Sequence, residues 1–194
     1  MKQNLSYSTR AALSGSVLLA AWLLLGGNAH AHRGSHEYDD TDRPHSKFML
    51  ALDLDYAAVL SPDIIEEGGG GALRIGTEHD LFLVSLIPEL TLDYHSFGTD
   101  TRDSAKIFTG KVGGRIRFLK IVEPGIFAHV GIGNIAGYNR VDHTGLAFDM
   151  GATLDLTILP LIDLGLHVAW NRIFGGYDSG TAYATSGAHV ALVF

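Results

Sequence analysis

The sequence predicts an all-β protein, an eight-stranded antiparallel up-and-down transmembrane β-barrel. Three observations predict it: apolar and polar side chains alternate through most of residues 47–194, brief and longer connections alternate between these runs, and no stretch after residue 31 reaches 18 uninterrupted apolar residues. Alternation with period two is typical of strands that have one apolar and one polar face. Because a membrane helix needs ~20 apolar residues, any membrane insertion must use strands.

Residues 1–31 are predicted to be a cleaved signal peptide. Lys2 and Arg10 give a positive start, residues 17–25 form a short apolar run, and residues 29–31 read Ala-His-Ala, a small-residue cleavage pattern. The alternative is a transmembrane anchor, but the apolar run is too short to span a bilayer. The remainder is one domain by length.

The segment 32–46 is predicted to be a flexible N-terminal periplasmic segment. Its three histidines, interspersed with acidic residues, could bind a divalent metal, but their spacing matches no closed ligand set, and disorder is the simpler interpretation. These histidines are His32, His36 and His45. The chain contains no cysteine, so disulfides and thiolate metal sites are excluded. Its formal net charge of −7 argues against a nucleic-acid partner.

Eight runs alternate, and each is predicted to be a strand. They are residues 47–57, 73–77, 81–94, 107–119, 126–133, 146–157, 162–171 and 185–194. Each run can be illustrated by one apolar-face residue and an adjacent residue of the polar face. In chain order these pairs are Leu54 and Asp53, Leu73 and Arg74, Leu92 and Asp93, Ile116 and Arg115, Val130 and His129, Leu154 and Asp155, Leu164 and Asp163, and Val190 and His189. The second run is the shortest and weakest.

The connections predict a barrel with a short-turn end and a long-loop end. The brief ones are residues 78–80, 121–125 and 159–161, and the longer ones are residues 58–72, 95–105, 137–145 and 173–182. Gly, Asp, Ser and Asn in the longer segments are typical of exposed loops. The glycine run 68–71 is interpreted as loop flexibility. The acidic loop residues, which could meet divalent cations or an external ligand but are solvated by default, are Asp63, Glu66, Glu67, Asp100 and Asp103.

Period two alone does not separate a membrane barrel from a soluble barrel with an apolar interior. The aromatic residues of the apolar parity favour the membrane barrel, because they lie near strand ends, where they would form two interfacial girdles. They are Phe48, Phe82, Phe118 and Phe194 at the short-turn end and Tyr56, Tyr94, Phe108, Phe148 and Trp170 at the long-loop end. The polar parity is rich in small residues, which suits a crowded lumen better than a soluble exterior.

The leader, the eight alternating strands and the closing segment 187–194 resemble the outer-membrane β-barrel-domain superfamily, the OmpA, OmpX and OmpW type of small barrel. The resemblance covers residues 47–194. It implies an outer-membrane location, contact with outer-membrane lipids and lipopolysaccharide, and a monomer. It also implies that Val190, Leu192 and Phe194 form the signal read by the barrel-assembly machinery.

Eight strands enclose a space that side chains can just fill. The charges of the polar parity are therefore predicted to form a salt-bridge network that plugs the lumen, since an unpaired charge there would be costly. They are Asp53, Asp55, Arg74, Glu89, Asp93, Lys111, Arg115, Arg117, Asp149, Asp155 and Asp163, with Lys47 at the edge of the set. A wide diffusion pore is excluded by this interpretation.

No catalytic, cofactor or metal site is predicted. His129, His167 and His189 point inward by parity, but without a matched serine they are better partners for the lumen carboxylates. The His-x-Ser motif of lipid A deacylase barrels is absent, because His95 and Ser96 are adjacent and lie in a predicted loop. The leading hypothesis is a non-enzymatic barrel, structural or surface-interacting through long loops. The alternatives are a narrow channel or small-ligand transfer barrel and, third, a lipid-modifying enzyme.

Overall fold

A computed structural model describes residues 46–61, 65–81, 83–99, 104–119, 121–137, 142–159, 161–175 and 180–194. The predicted signal peptide, the predicted N-terminal segment up to residue 45 and Phe82 lie outside these ranges. None of the described residues forms a helix long and apolar enough to cross a membrane.

Eight antiparallel strands close into a barrel, which confirms the predicted fold class. The strands are β1 (Ser46–Ser61), β2 (Ile65–Leu81), β3 (Val84–Thr99), β4 (Ser104–Phe118), β5 (Val122–Ala136), β6 (His143–Leu159), β7 (Ile162–Phe174) and β8 (Thr181–Val193). Each strand pairs with its sequence neighbours, and β8 pairs back with β1 from Met49↔Val193 to Ser61↔Ala182. Closure leaves no open edge, so backbone polar groups are paired within the sheet, as a bilayer interior requires.

The prediction of long loops at one end of the barrel is wrong, because the strands continue through most of the predicted loop residues. The segments between strands at this end are only residues 62–64, 100–103, 137–142 and 175–180. The glycine run 68–71 lies within β2, where Gly68 pairs with Ala57 of β1 and Phe97 of β3. Glycine has no side chain to show alternation, but its backbone still joins the sheet. His95 and Ser96 likewise belong to β3 rather than to a loop.

Two of the predicted short turns are also displaced. The turns at this end contain residues 82–83, 119–121 and 160–161, so Glu78 lies within β2 and Glu123 within β5. Both side chains face the lumen and are buried. In the second turn Leu119 has a φ of 70°, a left-handed conformation that costs a non-glycine residue roughly 1–2 kcal/mol.

The outer wall of the barrel is apolar. Leu54 is 72 % exposed and Leu166 61 %, as expected of side chains that face lipid rather than water. Of the predicted girdle residues, Phe148 and Trp170 are only partly exposed and pack edge to face with ring centroids 6.2 Å apart. The predicted girdle residues that are exposed are Phe48, Tyr56, Tyr94, Phe108, Phe118 and Phe194. Their assignment to membrane interfaces stays a prediction.

The interior has three layers. An apolar cluster at the loop end consists of Ala57, Phe97, Ala105, Ile107, Ile135, Ala147, Ile173 and Tyr183. A smaller one at the turn end consists of Met49, Ala51, Ile87, Ala191 and Val193. Charged and polar side chains fill the space between. The sequence analysis placed apolar residues outside, so these two clusters are an addition to it.

Candidate functional site

A set of charged side chains that extends from the middle layer of the lumen to its turn-end mouth includes most of the ionisable side chains of the described barrel. We call it the lumen network. It comprises nine carboxylates, four cations and four histidines: Asp53, Asp55, Glu78, Glu89, Asp93, Glu123, Asp149, Asp155, Asp163, Arg74, Lys111, Arg115, Arg117, His95, His129, His167 and His189. The alternating strands place every member on the inner face.

Glu89 lies at the centre of the lumen network. Its side chain is fully buried, and its oxygens lie 3.3 Å from Arg115 Nη2, 3.5 Å from Arg74 Nη1 and 2.9 Å from His129 Nε2. Arg74 also makes a two-pronged interaction with Asp53, in which Nε and Nη2 each donate over 2.8 Å. Such paired charge-assisted bonds are among the strongest in proteins. They tie β1, β2, β3, β4 and β5 together through the lumen.

A second group surrounds Lys111. Its ammonium lies 3.0 Å from Asp93 Oδ2 and also contacts Asp149. Asp93 accepts a hydrogen bond of 2.6 Å from Thr109, and Asp149 lies 2.6 Å from His129 Nδ1. This cation therefore has two carboxylate partners, which offsets the cost of burying it.

Arg117 contacts four carboxylates near the turn end of the barrel. Its guanidinium lies 2.9 Å from Asp163, 3.1 Å from Glu123, 3.2 Å from Glu78 and 3.6 Å from Asp155. These carboxylates come from β7, β5, β2 and β6. One cation thus joins opposite walls of the barrel at its turn-end mouth.

Each lumen histidine lies over a glycine of a neighbouring strand. A Cβ built on Gly70, Gly113, Gly165 or Gly187 would lie within 3.0 Å of the ring of His95, His129, His189 or His167, respectively. The missing side chain makes room for the imidazole to reach across to a carboxylate on the next strand. His95 and His167 reach Asp55 at 3.2 and 2.7 Å, and His189 reaches Asp155 at 2.9 Å.

The substitution Gly165→Ala tests this arrangement. The new methyl group would lie 2.3 Å from Asp155 Oδ1 and 2.4 Å from the His189 ring, so we expect it to lower the free energy of unfolding by roughly 1–3 kcal/mol. Gly110→Ala is the control, because its methyl group would meet only Leu92, at 3.5 Å on the outer face. Urea unfolding in lipid vesicles measures both. Equal stabilities for the two variants would contradict this account of the glycines.

The structure places all eleven predicted lumen charges inside the barrel, each within 4.0 Å of an oppositely charged side chain or, for Asp55, of two histidines. Lys47 instead lies at the turn-end rim, where it is half exposed and 3.4 Å from Asp80. The sequence analysis missed Glu78, Glu123 and His95. The sequence does contain a signal for Glu78, because the inward-facing alternation of Arg74 continues through Gly76 to Glu78. Glu78 and Glu123 were instead predicted to lie in turns, and His95 in a loop.

Little free space remains around the lumen network. The cavity lined by Asp53, Asp55, His95, His129 and His167 is about 30 Å³, room for about one water molecule. A larger recess of about 140 Å³ opens at the turn-end mouth, lined by Glu78, Asp80, Glu123, Asp163 and Lys47. His95 and Ser96 are successive residues of β3 and so face opposite sides of the barrel wall. They do not form a His-x-Ser pair on one face.

Comparison with known proteins supports the fold class. No family model matches the chain, and no curated protein does either. Among solved structures, it is similar to Neisserial surface protein A, with a TM-score of 0.57, 15 % identity, and coverage of 76 % of this chain and 97 % of that one. It is also similar to Ail, the attachment invasion locus protein of Yersinia pestis, with a TM-score of 0.50, 12 % identity, and coverage of 77 % and 97 %.

The class that the fold defines is the small eight-stranded outer-membrane β-barrel. The apolar outer wall and the closed sheet agree with an outer-membrane location. At these identities the likeness concerns the fold. The chain's activity has to be argued from its own residues.

Proposed function

We propose that this protein is a non-enzymatic outer-membrane barrel with a plugged lumen, which acts as a structural or surface-interacting component. The observation that carries the proposal is the filling of the interior. The lumen network fills the interior from the middle to the turn-end mouth, and the two apolar clusters fill the rest. A solute would have to displace paired, buried charges to pass, and breaking such pairs is costly.

The outer wall and the loop-end rim are then the surfaces available to partners. The wall meets outer-membrane lipids, and the rim meets lipopolysaccharide and whatever lies outside the cell. The sequence between the strands at this end includes Asp63, Asp100 and Asp103, a polar, acidic composition suited to a hydrated surface. The names of the two similar proteins record a surface protein and an attachment protein. The proposed surface role of this chain agrees with those two names.

Conductance across a planar bilayer tests the plugged lumen. The mature protein would be refolded in detergent, checked for heat-modifiable gel mobility, and inserted beside a water-filled porin prepared in the same way. We expect the porin to give stepwise currents and this barrel to give none, because the cavity in the middle of its lumen network is only about 30 Å³. Steady channels from the refolded barrel would overturn the proposal and favour a narrow channel.

Lipid A analysis tests the non-enzymatic part. Mass spectrometry of lipid A from cells with and without the protein should give the same acyl-chain pattern. A difference that disappears when His95 is replaced by asparagine would identify a lipid-modifying enzyme instead.

A further inference from the structure

Two histidines and an aspartate of the lumen network converge near the seam where the barrel closes. Asp53 on β1, His167 on β7 and His189 on β8 each offer one ligand atom, and these atoms all lie within 4.8 Å of one another. The three side chains are 8 %, 8 % and 2 % exposed. Asp53 and His189 are direct cross-strand neighbours in the β1–β8 pairing. Two imidazoles and a carboxylate are a ligand set that suits zinc and similar divalent metals.

Each histidine is held through one nitrogen and has the other free. Nε2 of His167 lies 2.7 Å from Asp55, and Nε2 of His189 lies 2.9 Å from Asp155. Nδ1 of both rings is buried and has no hydrogen-bond partner among the described residues. Asp55 hydrogen-bonds Nε2 of His167, and a carboxylate that accepts the Nε2–H fixes the ring's tautomer and leaves a lone pair on Nδ1. Asp155 faces Nε2 of His189 at 2.9 Å as an electrostatic contact without hydrogen-bond geometry. Histidines that bind metals are oriented by such carboxylates.

A buried ring nitrogen without a partner is costly whether it carries a hydrogen or a lone pair. A divalent cation would accept the Nδ1 lone pairs of both rings. It would also reduce the excess of carboxylates over cations in the lumen network. Asp53 can also bind the metal. Arg74 donates one hydrogen bond to each carboxylate oxygen of Asp53, and each oxygen has a second lone pair that remains available.

We propose that Asp53, His167 and His189 bind one divalent transition metal, with zinc as the best match. The metal would join β1, β7 and β8 and so fasten the seam between the first and last strands. Two of the three ligands, Asp53 and His167, line the cavity of about 30 Å³. A water molecule is the usual fourth ligand of zinc held by three protein side chains. The site is independent of the proposed surface role, since a barrel without metal could still have a closed lumen.

Metal titration of the refolded mature chain tests the proposal. The parent for all samples carries serine in place of the three histidines of the N-terminal segment, His32, His36 and His45. This parent, stripped with a chelator and dialysed, would be titrated with Zn²⁺ by calorimetry and with Co²⁺ by visible absorption. We expect one metal per barrel and the absorption bands of a nitrogen- and oxygen-ligated, four-coordinate Co²⁺.

His167→Gln and His189→Gln are each expected to lower Zn²⁺ affinity by more than about tenfold. His95→Gln is the matched control. His95 is equally buried, hydrogen-bonds the same Asp55 through Nε2 and also has an unpartnered Nδ1, but it lies outside the trio. We expect it to keep parent affinity. Failure of the parent to bind one Zn²⁺, or an equal loss in His95→Gln, would overturn the proposal.

X-ray absorption of the zinc-loaded parent keeps the test decisive if a histidine variant does not refold. Two imidazole nitrogens at about 2.0–2.1 Å are expected around the zinc. A spectrum without imidazole scattering, as from zinc held only by surface carboxylates, would overturn the assignment. Neither result bears on whether the barrel conducts.

Discussion

Replacing Arg117 with methionine is expected to lower the free energy of unfolding of the barrel by roughly 3–5 kcal/mol. The reason is the number of charges that this one cation neutralises. Glu78, Glu123, Asp155 and Asp163 lie within 3.6 Å of its guanidinium. Without it, three of them have no other cation within ion-pair distance among the described residues, and they repel one another inside a poorly solvated lumen.

Lys47→Met is the matched control, since it removes a cation from the same end of the barrel. Lys47 is 46 % exposed and pairs with Asp80 at 3.4 Å, so solvent screens the interaction and its loss should cost less than about 1 kcal/mol. Urea unfolding in vesicles can be followed by the fluorescence of Trp170, the single tryptophan after residue 31. Similar losses for the two variants would show that the Arg117 cluster contributes no more than a surface pair.

The inward charges could be predicted because strand geometry makes parity decisive. Once Asp53 is assigned to a strand, its neighbours Leu52 and Leu54 must face the other way, and the apolar face of a membrane barrel must meet lipid. The structure agrees on this point for each strand. The extent of the strands was harder to predict. Glycines 68–71 carry no side-chain pattern, and their backbone pairing with β1 and β3 is a tertiary interaction that composition does not reveal.

The contacts inside the lumen could not be predicted from parity. Parity places His189 on the inner face, but its position beside Asp53 depends on the register of the β1–β8 seam, and its reach to Asp155 depends on Gly165. The apolar cluster at the loop end was missed for a related reason. Phe97 lies in a segment predicted to be a loop, and Tyr183 lies between a predicted loop and the last predicted strand, so the sequence analysis gave neither residue a facing direction.

Filling the lumen has a consequence for how the barrel is held together. The apolar face and the turns set the strand register in any membrane barrel, and here side chains also join strands across the interior. Arg117 links β4 to β2, β5, β6 and β7, and Arg74 links β2 to β1 and β3. A slip by one residue would turn these charges toward lipid. The lumen network therefore specifies register as well as closing the interior.

Replacing Phe194, the last residue of the sequence, with alanine is expected to reduce the amount of folded barrel in the outer membrane severalfold while changing its stability little. The aromatic ring packs against Phe48 with centroids 5.2 Å apart and is 62 % exposed. Its backbone exchanges two hydrogen bonds with Phe48, which alanine would keep. The stability cost is therefore limited to an exposed aromatic pair, about 0.5–1.5 kcal/mol. The resemblance to outer-membrane barrels implies the larger effect, because it makes Phe194 part of the signal, with Val190 and Leu192, that the assembly machinery would read.

Phe48→Ala separates the two roles of Phe194. It removes the same ring pair from the other side, so the two variants should lose similar stability when refolded in vitro. Only Phe194→Ala changes the predicted assembly signal, which Phe194 forms with Val190 and Leu192. Quantifying heat-modifiable barrel in outer-membrane fractions should therefore show a deficit for Phe194→Ala and near-normal levels for Phe48→Ala. If both variants reached the membrane in equal amounts, Phe194 would be a packing residue and the assembly signal would have to lie elsewhere in β8.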